Sequence, residues 1–267
     1  MTAVPVGVKR RYVDTSHGQV HLAELGTGEP VLFLHQTPRS WREYLEVLPI
    51  AGRHVRAIAM DTIGFGQSDS LSEPMSIELF AGVVIEVVAV LGLDSTHLVG
   101  HHTGGVIAVE VAASHPWLVR SLVLSATPYI DSARRGRVAS RPPIDHVEPD
   151  RDGSHLSQLW AHRRPYYVDG EERFLDNYVS DALATIETVE DGHRAVNAYR
   201  MEDRLPLVRA RTLLLCGALD VYSRPDLPAL EKILGSTGLV IDGASVALPE
   251  QRPVEFAAHV VNFVTSG

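Results

Sequence analysis

The stretch that decides the fold is Leu98-Val99-Gly100-His101-His102-Thr103-Gly104-Gly105. A short apolar run ends in a glycine and two histidines, a glycine pair follows, and apolar residues then dominate positions 106–113. That pattern predicts a strand turning sharply into a helix. Gly100 and Gly104 flank His102 in a small-x-X-x-small spacing, which suits a turn whose central residue is strained and whose neighbours have no room for side chains. The central side chain is an imidazole, with no hydroxyl, thiol or carboxylate.

On either side of this turn, strand-like and helix-like runs alternate. Residues 10–14 and 19–24 alternate around Ser16-His17-Gly18, a hairpin signal. Residues 31–34 are a continuous apolar run, as expected of a strand buried on both faces, and 55–60 reads as another buried run. Further strands are expected at 97–99, 118–124, 212–216 and 239–241, and helices at 41–48, 76–91, 104–113, 225–234 and 253–264. The order implies an α/β fold, a mostly parallel sheet with helices on both faces and ligands at the carboxyl ends of its strands. From Thr127 the pattern changes: 128–153 is rich in Arg, Asp and Pro, and 154–200 is helical with no convincing strand. The expected organisation is therefore 1–127 as the first part of the core domain, 128–205 as a helical lid insertion, and 206–267 as the second part.

Composition removes several functions. With 24 basic against 33 acidic residues the net charge is −9, so the long-range field repels nucleic acid. The longest apolar stretch, 79–93, is interrupted by Gly82 and Glu86 and is too short to span a bilayer. Residues 1–12 carry basic groups without an apolar run behind them, so no signal peptide is expected. The single Cys216 sits in an apolar run and reads as a buried structural thiol. The glycines of Asp61-Thr62-Ile63-Gly64-Phe65-Gly66-Gln67-Ser68 mark a tight loop and lack the spacing of a phosphate cradle. A cytoplasmic protein with a small-molecule substrate is expected, with no membrane or nucleic-acid partner and with a homodimer left open.

Four segments together resemble the α/β-hydrolase superfamily, over nearly the whole chain: Gly100-His101-His102-Thr103-Gly104, His35-Gln36-Thr37-Pro38, the Asp61 to Ser68 loop, and Gly217-Ala218-Leu219-Asp220. The stretch 35–44 is most similar to the dehalogenase and epoxide-hydrolase branch. The resemblance implies an eight-stranded, mostly parallel sheet with a helical lid, and a chain order of nucleophile, acid and histidine. Here His102 stands at the nucleophile position and Asp220 at the acid position. Val246 stands where the histidine belongs, and no histidine occurs between His193 and His259. The resemblance also assigns the backbone N–H groups of Thr37 and Thr103 to an oxyanion hole, beside which Gln36 replaces a usual glycine.

The chemistry of these departures sets the expectation. Without a nucleophilic oxygen or sulfur at the elbow, no ordinary covalent intermediate forms. Asp220 has lost its partner, and a carboxylate in a covered cleft is costly unless paired. The expectation is that His102 donates a ring N–H to Asp220, which raises the imidazole above its ordinary value of about 6.5. A general base opposite an oxyanion hole suits water activation on an ester or lactone, proton removal beside a carbonyl, retro-aldol cleavage or decarboxylation, without metal or cofactor. His35, Gln36, Tyr129, Trp160 and Val246 are expected to line the substrate pocket, with Tyr166 and Tyr167 beside them. His101 is expected to turn away and pack or hydrogen-bond behind the sheet, since an adjacent histidine pair chelates poorly. Of the lid histidines His146, His155, His162 and His193, all expected at the surface, His193 has the best claim on the cleft. The alternative is a catalytically inactive, hydrolase-like protein that binds a small molecule.

Overall fold

The computed structural model describes residues 3–266, in which eight strands form one sheet ordered β1-β2-β4-β3-β5-β6-β7-β8. The strands are β1 (Lys9–Thr15), β2 (Gly18–Leu25), β3 (Pro30–Leu34), β4 (Arg56–Met60), β5 (Thr96–His101), β6 (Val119–Ser125), β7 (Arg211–Gly217) and β8 (Gly238–Ile241). β1 pairs antiparallel with β2 and β2 antiparallel with β4, while every other pairing is parallel. The apolar runs read as central strands lie there: β3 sits between β4 and β5, and all six residues of β5 are buried.

Alternation along the strands feeds two cores. Val31 and Phe33 face α1 (Val47–Ala51) and the closing helix, whereas Leu32 and Leu34 face α2 (Ile77–Val90) and α3 (Thr103–Ser114). The single helix expected at 41–48 is instead a 3-10 turn, Trp41–Tyr44, followed by α1. Pro49 has no N–H to donate to the carbonyl four residues back, so one continuous helix cannot run through. Trp41 N–H to Asp61 (2.6 Å) and Tyr44 hydroxyl to the Leu34 carbonyl (2.8 Å) hold the turn in place. The stretch 79–93 largely forms α2; among the described residues no helix is long and apolar enough to cross a membrane. Burial pushes the Cys216 thiol up to about 12, so it remains protonated.

Between β6 and β7 the chain forms α4 (Ser132–Val138), α5 (Ser154–Arg163), α6 (Glu172–Ala184), α7 (Val189–Ala198) and α8 (Met201–Arg204). Leu159 of α5 and Phe174, Leu175 and Tyr178 of α6 form a separate apolar cluster, completed by Val246 and Ala247. The helical segment is thereby seated on the loop after β8, at the carboxyl end of the sheet. After β7 come α9 (Leu227–Leu234), α10 (Leu248–Gln251) and α11 (Pro253–Thr265), the closing helix. Residues 1, 2 and 267 of the expected core ranges lie outside the described residues.

At the turn from β5 into α3, His102 adopts φ 51° and ψ −111°, a conformation that L-residues rarely hold. The flanking glycines are required by close approach. A Cβ on Gly104 would lie 2.0 Å from the Leu34 carbonyl oxygen, and one on Gly100 would lie 2.3 Å from the Gly104 carbonyl oxygen. Neither neighbour is a flexible side-chain end, so the strain cannot be relieved locally. Gly104→Ala is expected to cost about 3 kcal/mol or more, read as a lower urea midpoint; an unchanged midpoint would refute the close contact.

Candidate active site

The elbow presents His102 at the carboxyl end of β5, partly exposed, with its Nδ1 sealed off and without a hydrogen-bond partner. Its ring stacks on Tyr222 at a centroid distance of 5.1 Å, and the Arg134 guanidinium lies over Tyr222 at 4.6 Å. Burial pushes the His102 imidazole well below its usual value, and His101, Arg134, His193 and Arg163 push it the same way. The ring is therefore neutral at physiological pH, the reverse of the expected rise.

Asp220, just beyond β7, does not hydrogen-bond to His102. Its Oδ1 accepts from the backbone N–H groups of Tyr222 and Ser223, both at 2.9 Å, and its Oδ2 is buried without a partner. The turn therefore captures the carboxylate locally, while the ring of Tyr222 from the same turn covers the face of His102. Burial raises the Asp220 carboxyl against the pull of those amides.

His101 links the elbow to the loop after β8. It is buried, with Nε2 2.8 Å from the Val246 carbonyl and Nδ1 2.9 Å from the Ser125 hydroxyl. A carbonyl only accepts, so Nε2 carries the hydrogen and Ser125 donates to Nδ1. Burial pushes this imidazole down to about 4.

Thr103 opens α3, so its N–H is among those a helix leaves without an intrahelical acceptor, at the positive end of the helix dipole. Thr37 is fixed from behind: the Gln36 backbone N–H and side-chain amide both donate to Glu43, at 3.0 and 2.6 Å. Glu43 lies beside the fully buried Arg39, which donates to Glu250 (2.5 and 3.0 Å) and Asp181 (2.8 Å). Burial opposes the charge on Arg39, but Glu250, Asp181 and Glu43 outweigh it and keep the guanidinium charged. The loop bearing Thr37 is thus bolted to α6 and α10.

A cavity of about 30 Å³, enough for one or two waters, lies over His102. The core contributes Gln36, Thr37 and Val246 to its wall, and the helical segment contributes Arg163, Tyr166, Tyr167, Tyr178 and His193. His35, Tyr129 and Trp160 do not line it. His35 donates from Nδ1 to the Gln36 carbonyl (2.8 Å) and accepts from Thr62 N–H (2.9 Å), which ties two loops together. Tyr129 packs on the α2–α3 core, and Trp160 packs on the α5–α6 cluster with its indole N–H on Asp176 (3.3 Å). A second cavity of about 430 Å³ shares Ile144, His193 and Tyr222 with the first and is flanked by Arg135, Arg141 and Arg194.

Of the histidines expected at the surface, His146 and His162 are exposed, and His155 accepts from Asp150 N–H (3.0 Å). His193 reaches the cavity. Its Nε2 lies 2.5 Å from Asp145, a buried carboxylate that also accepts from Arg163 Nε (2.5 Å), Arg163 Nη2 and the Tyr178 hydroxyl (2.7 Å). Burial alone would raise the Asp145 carboxyl, but Arg163 and His193 hold it well below the usual range. Asp145, Arg163 and Tyr178 are functional candidates that sequence reasoning missed. They come from an irregular stretch and two separate helices, and no spacing joins them. Ligand atoms of Asp145, Glu190 and His193 also lie within 4.8 Å of one another. Arg163 already occupies Asp145, and Glu190 accepts the N–H groups of Ile144, Asp145 and His146, so these donors are committed elsewhere.

Comparison with known proteins agrees with this architecture. The α/β-hydrolase fold family profile matches residues 29–226. Epoxide hydrolase 2 of Siraitia grosvenorii is 35% identical, over 96% of this chain and 98% of its own length. Haloalkane dehalogenase 2 of Mycobacterium tuberculosis is 34% identical over 143 residues, so the match spans about half the length of that relative. The crystal structure of epoxide hydrolase VrEH1 from Vigna radiata superposes with a TM-score of 0.80 at 18% identity, over 98% of this chain and 99% of that one. The chain belongs to the α/β-hydrolase family, near its dehalogenase and epoxide-hydrolase branch.

The two elbow imidazoles give a signed pH dependence. Both have folded-state values below the unfolded value of about 6.5, so the unfolded chain binds more protons and acid favours unfolding. For His101 alone the loss from pH 7 to pH 5 is about 2 kcal/mol. Urea unfolding at the two pH values should show it, and His101→Asn should flatten the slope; an unaltered slope in that variant would refute the assignment.

Proposed function

We propose that this chain is a cofactor-free hydrolase of a small carbonyl compound, an ester or lactone, in which His102 acts as a general base on water. The observation that carries the reading is an imidazole held at a strained elbow, without a protein partner at Nδ1, facing a cavity shared with Thr37. A ring kept neutral by burial is ready to accept a proton at neutral pH, although its low basicity limits how strongly it pulls. The N–H groups of Thr37 and Thr103 would stabilise negative charge on the carbonyl oxygen, and the guanidinium groups of Arg134 and Arg163 near His102 favour the same charge. Asp220 serves as a positioning residue, through the turn that seats Tyr222 on the ring.

The helical segment between β6 and β7 acts in this reading as a lid, because the inner cavity holds little more than water. The larger cavity behind His193 is the entry route. No metal or organic cofactor takes part, and the cytoplasm suits a chain with one buried thiol. A second reading, a small-molecule binder without turnover, is favoured by Val246 standing where the family carries its histidine.

His102→Ala should lower turnover of an ester and lactone panel by about 10²–10⁴-fold. Unchanged turnover removes His102 from the chemistry, whereas a wild-type protein that is inert yet binds carboxylates calorimetrically favours the binder. Installing the family's missing groups is a further check of the scaffold. His102→Ser with Val246→His should generate esterase activity on activated esters, and a folded but inert double variant would mean that the Thr37 and Thr103 amides do not converge.

A further inference from the structure

We propose that His193, oriented by Asp145, is a second catalytic imidazole and protonates the leaving group; this rests on the hydrolase reading above. The wall of the cavity opposite the core carries an assembled acid–imidazole pair, although the loop after β8 has none. Asp145 is fully buried, and its two oxygens take Arg163, the Tyr178 hydroxyl and His193 Nε2. A carboxylate only accepts, so Nε2 carries the hydrogen and Nδ1 is left as the ring nitrogen available to substrate. Asp145 thereby orients the ring, with Arg163 Nη2 3.3 Å from the same Nε2.

The position of the pair is fixed by packing. Gly192 precedes His193 on α7, and a Cβ there would lie 2.7 Å from both Phe65 Cζ and Thr37 Cγ2. Only glycine lets α7 sit this close to the loop of Thr37, so His193 and Thr37 enter the same cavity wall. His102 and His193 thus share one cavity in different surroundings, the first without a carboxylate partner and the second bonded to one.

In the step proposed, a water proton passes to His102 as the water oxygen bonds to the carbonyl carbon, and the C=O electron pair moves onto oxygen. Collapse of this adduct breaks the bond to the leaving oxygen, which takes a proton from Nδ1 of protonated His193. Proton exchange with solvent then discharges His102 and recharges His193. The net change is ester plus water to acid plus alcohol.

The test compares an alkyl ester, whose leaving oxygen needs a proton, with the 4-nitrophenyl ester of the same acid, whose leaving group barely does. His193→Gln should lose about 100-fold on the alkyl ester and under tenfold on the aryl ester, with kcat carrying the loss. His102→Ala should lose on both. Asp145→Asn should follow His193→Gln, and His193→Asn serves if the glutamine variant does not fold by circular dichroism. Equal losses on the two esters, or none, overturn the proposal and leave the His102 reading standing if His102→Ala is impaired. Wild-type protein inert on every ester and lactone overturns both.

Discussion

Three backbone segments meet at the elbow with no side chains between them, and the rest of the site depends on that contact. The carboxyl end of β3, the turn out of β5 and the first turn of α3 approach so closely that only Gly100 and Gly104 fit. Because α3 starts against the Leu34 carbonyl, His102 is forced into its left-handed conformation and stands clear of the sheet. The same constraint fixes the Thr103 amide beside it. Strain of this kind persists only where the surrounding packing over-determines it.

The charges around the elbow are arranged unlike those of a nucleophile–acid–histidine relay. Asp220 is satisfied on one oxygen by its own turn, while burial keeps His102 neutral, with Arg134 and Arg163 pushing the same way. On the cavity over His102, the buried carboxylate bonded to an imidazole lies instead in the helical segment, as Asp145 with His193. A second buried network, Arg39 with Glu43, Asp181 and Glu250, ties that segment to the loop of Thr37. Removing one member of such a network leaves an unpaired buried charge, so both networks hold the helical segment in register with the core. The scaffold is that of a hydrolase, and the fold alone does not set the reaction.

Much of this was legible from local pattern. Apolar runs gave the central strands, glycine spacing gave the elbow, and the change in composition after Thr127 marked where the sheet is interrupted. The helix expected across 41–48 broke because Pro49 and the anchors of Trp41 and Tyr44 decided it. The expected pairing of His102 with Asp220 failed for a related reason: a carboxylate two residues from a free backbone N–H meets that amide before any distant ring. Pocket residues chosen by position alone divided the same way, with Gln36 and Val246 on the cavity and His35 drawn off by two loop carbonyl and amide contacts.

The sequence by itself determined the sheet, the strained turn and the absence of an elbow nucleophile and loop histidine, because these depend on residue type at short spacing. Only the tertiary structure decided which carboxylate meets which imidazole. Asp145, Arg163, Tyr178 and His193 come together from an irregular stretch and three helices. Hydrogen-bond geometry over such separations follows from packing, and no local pattern records it.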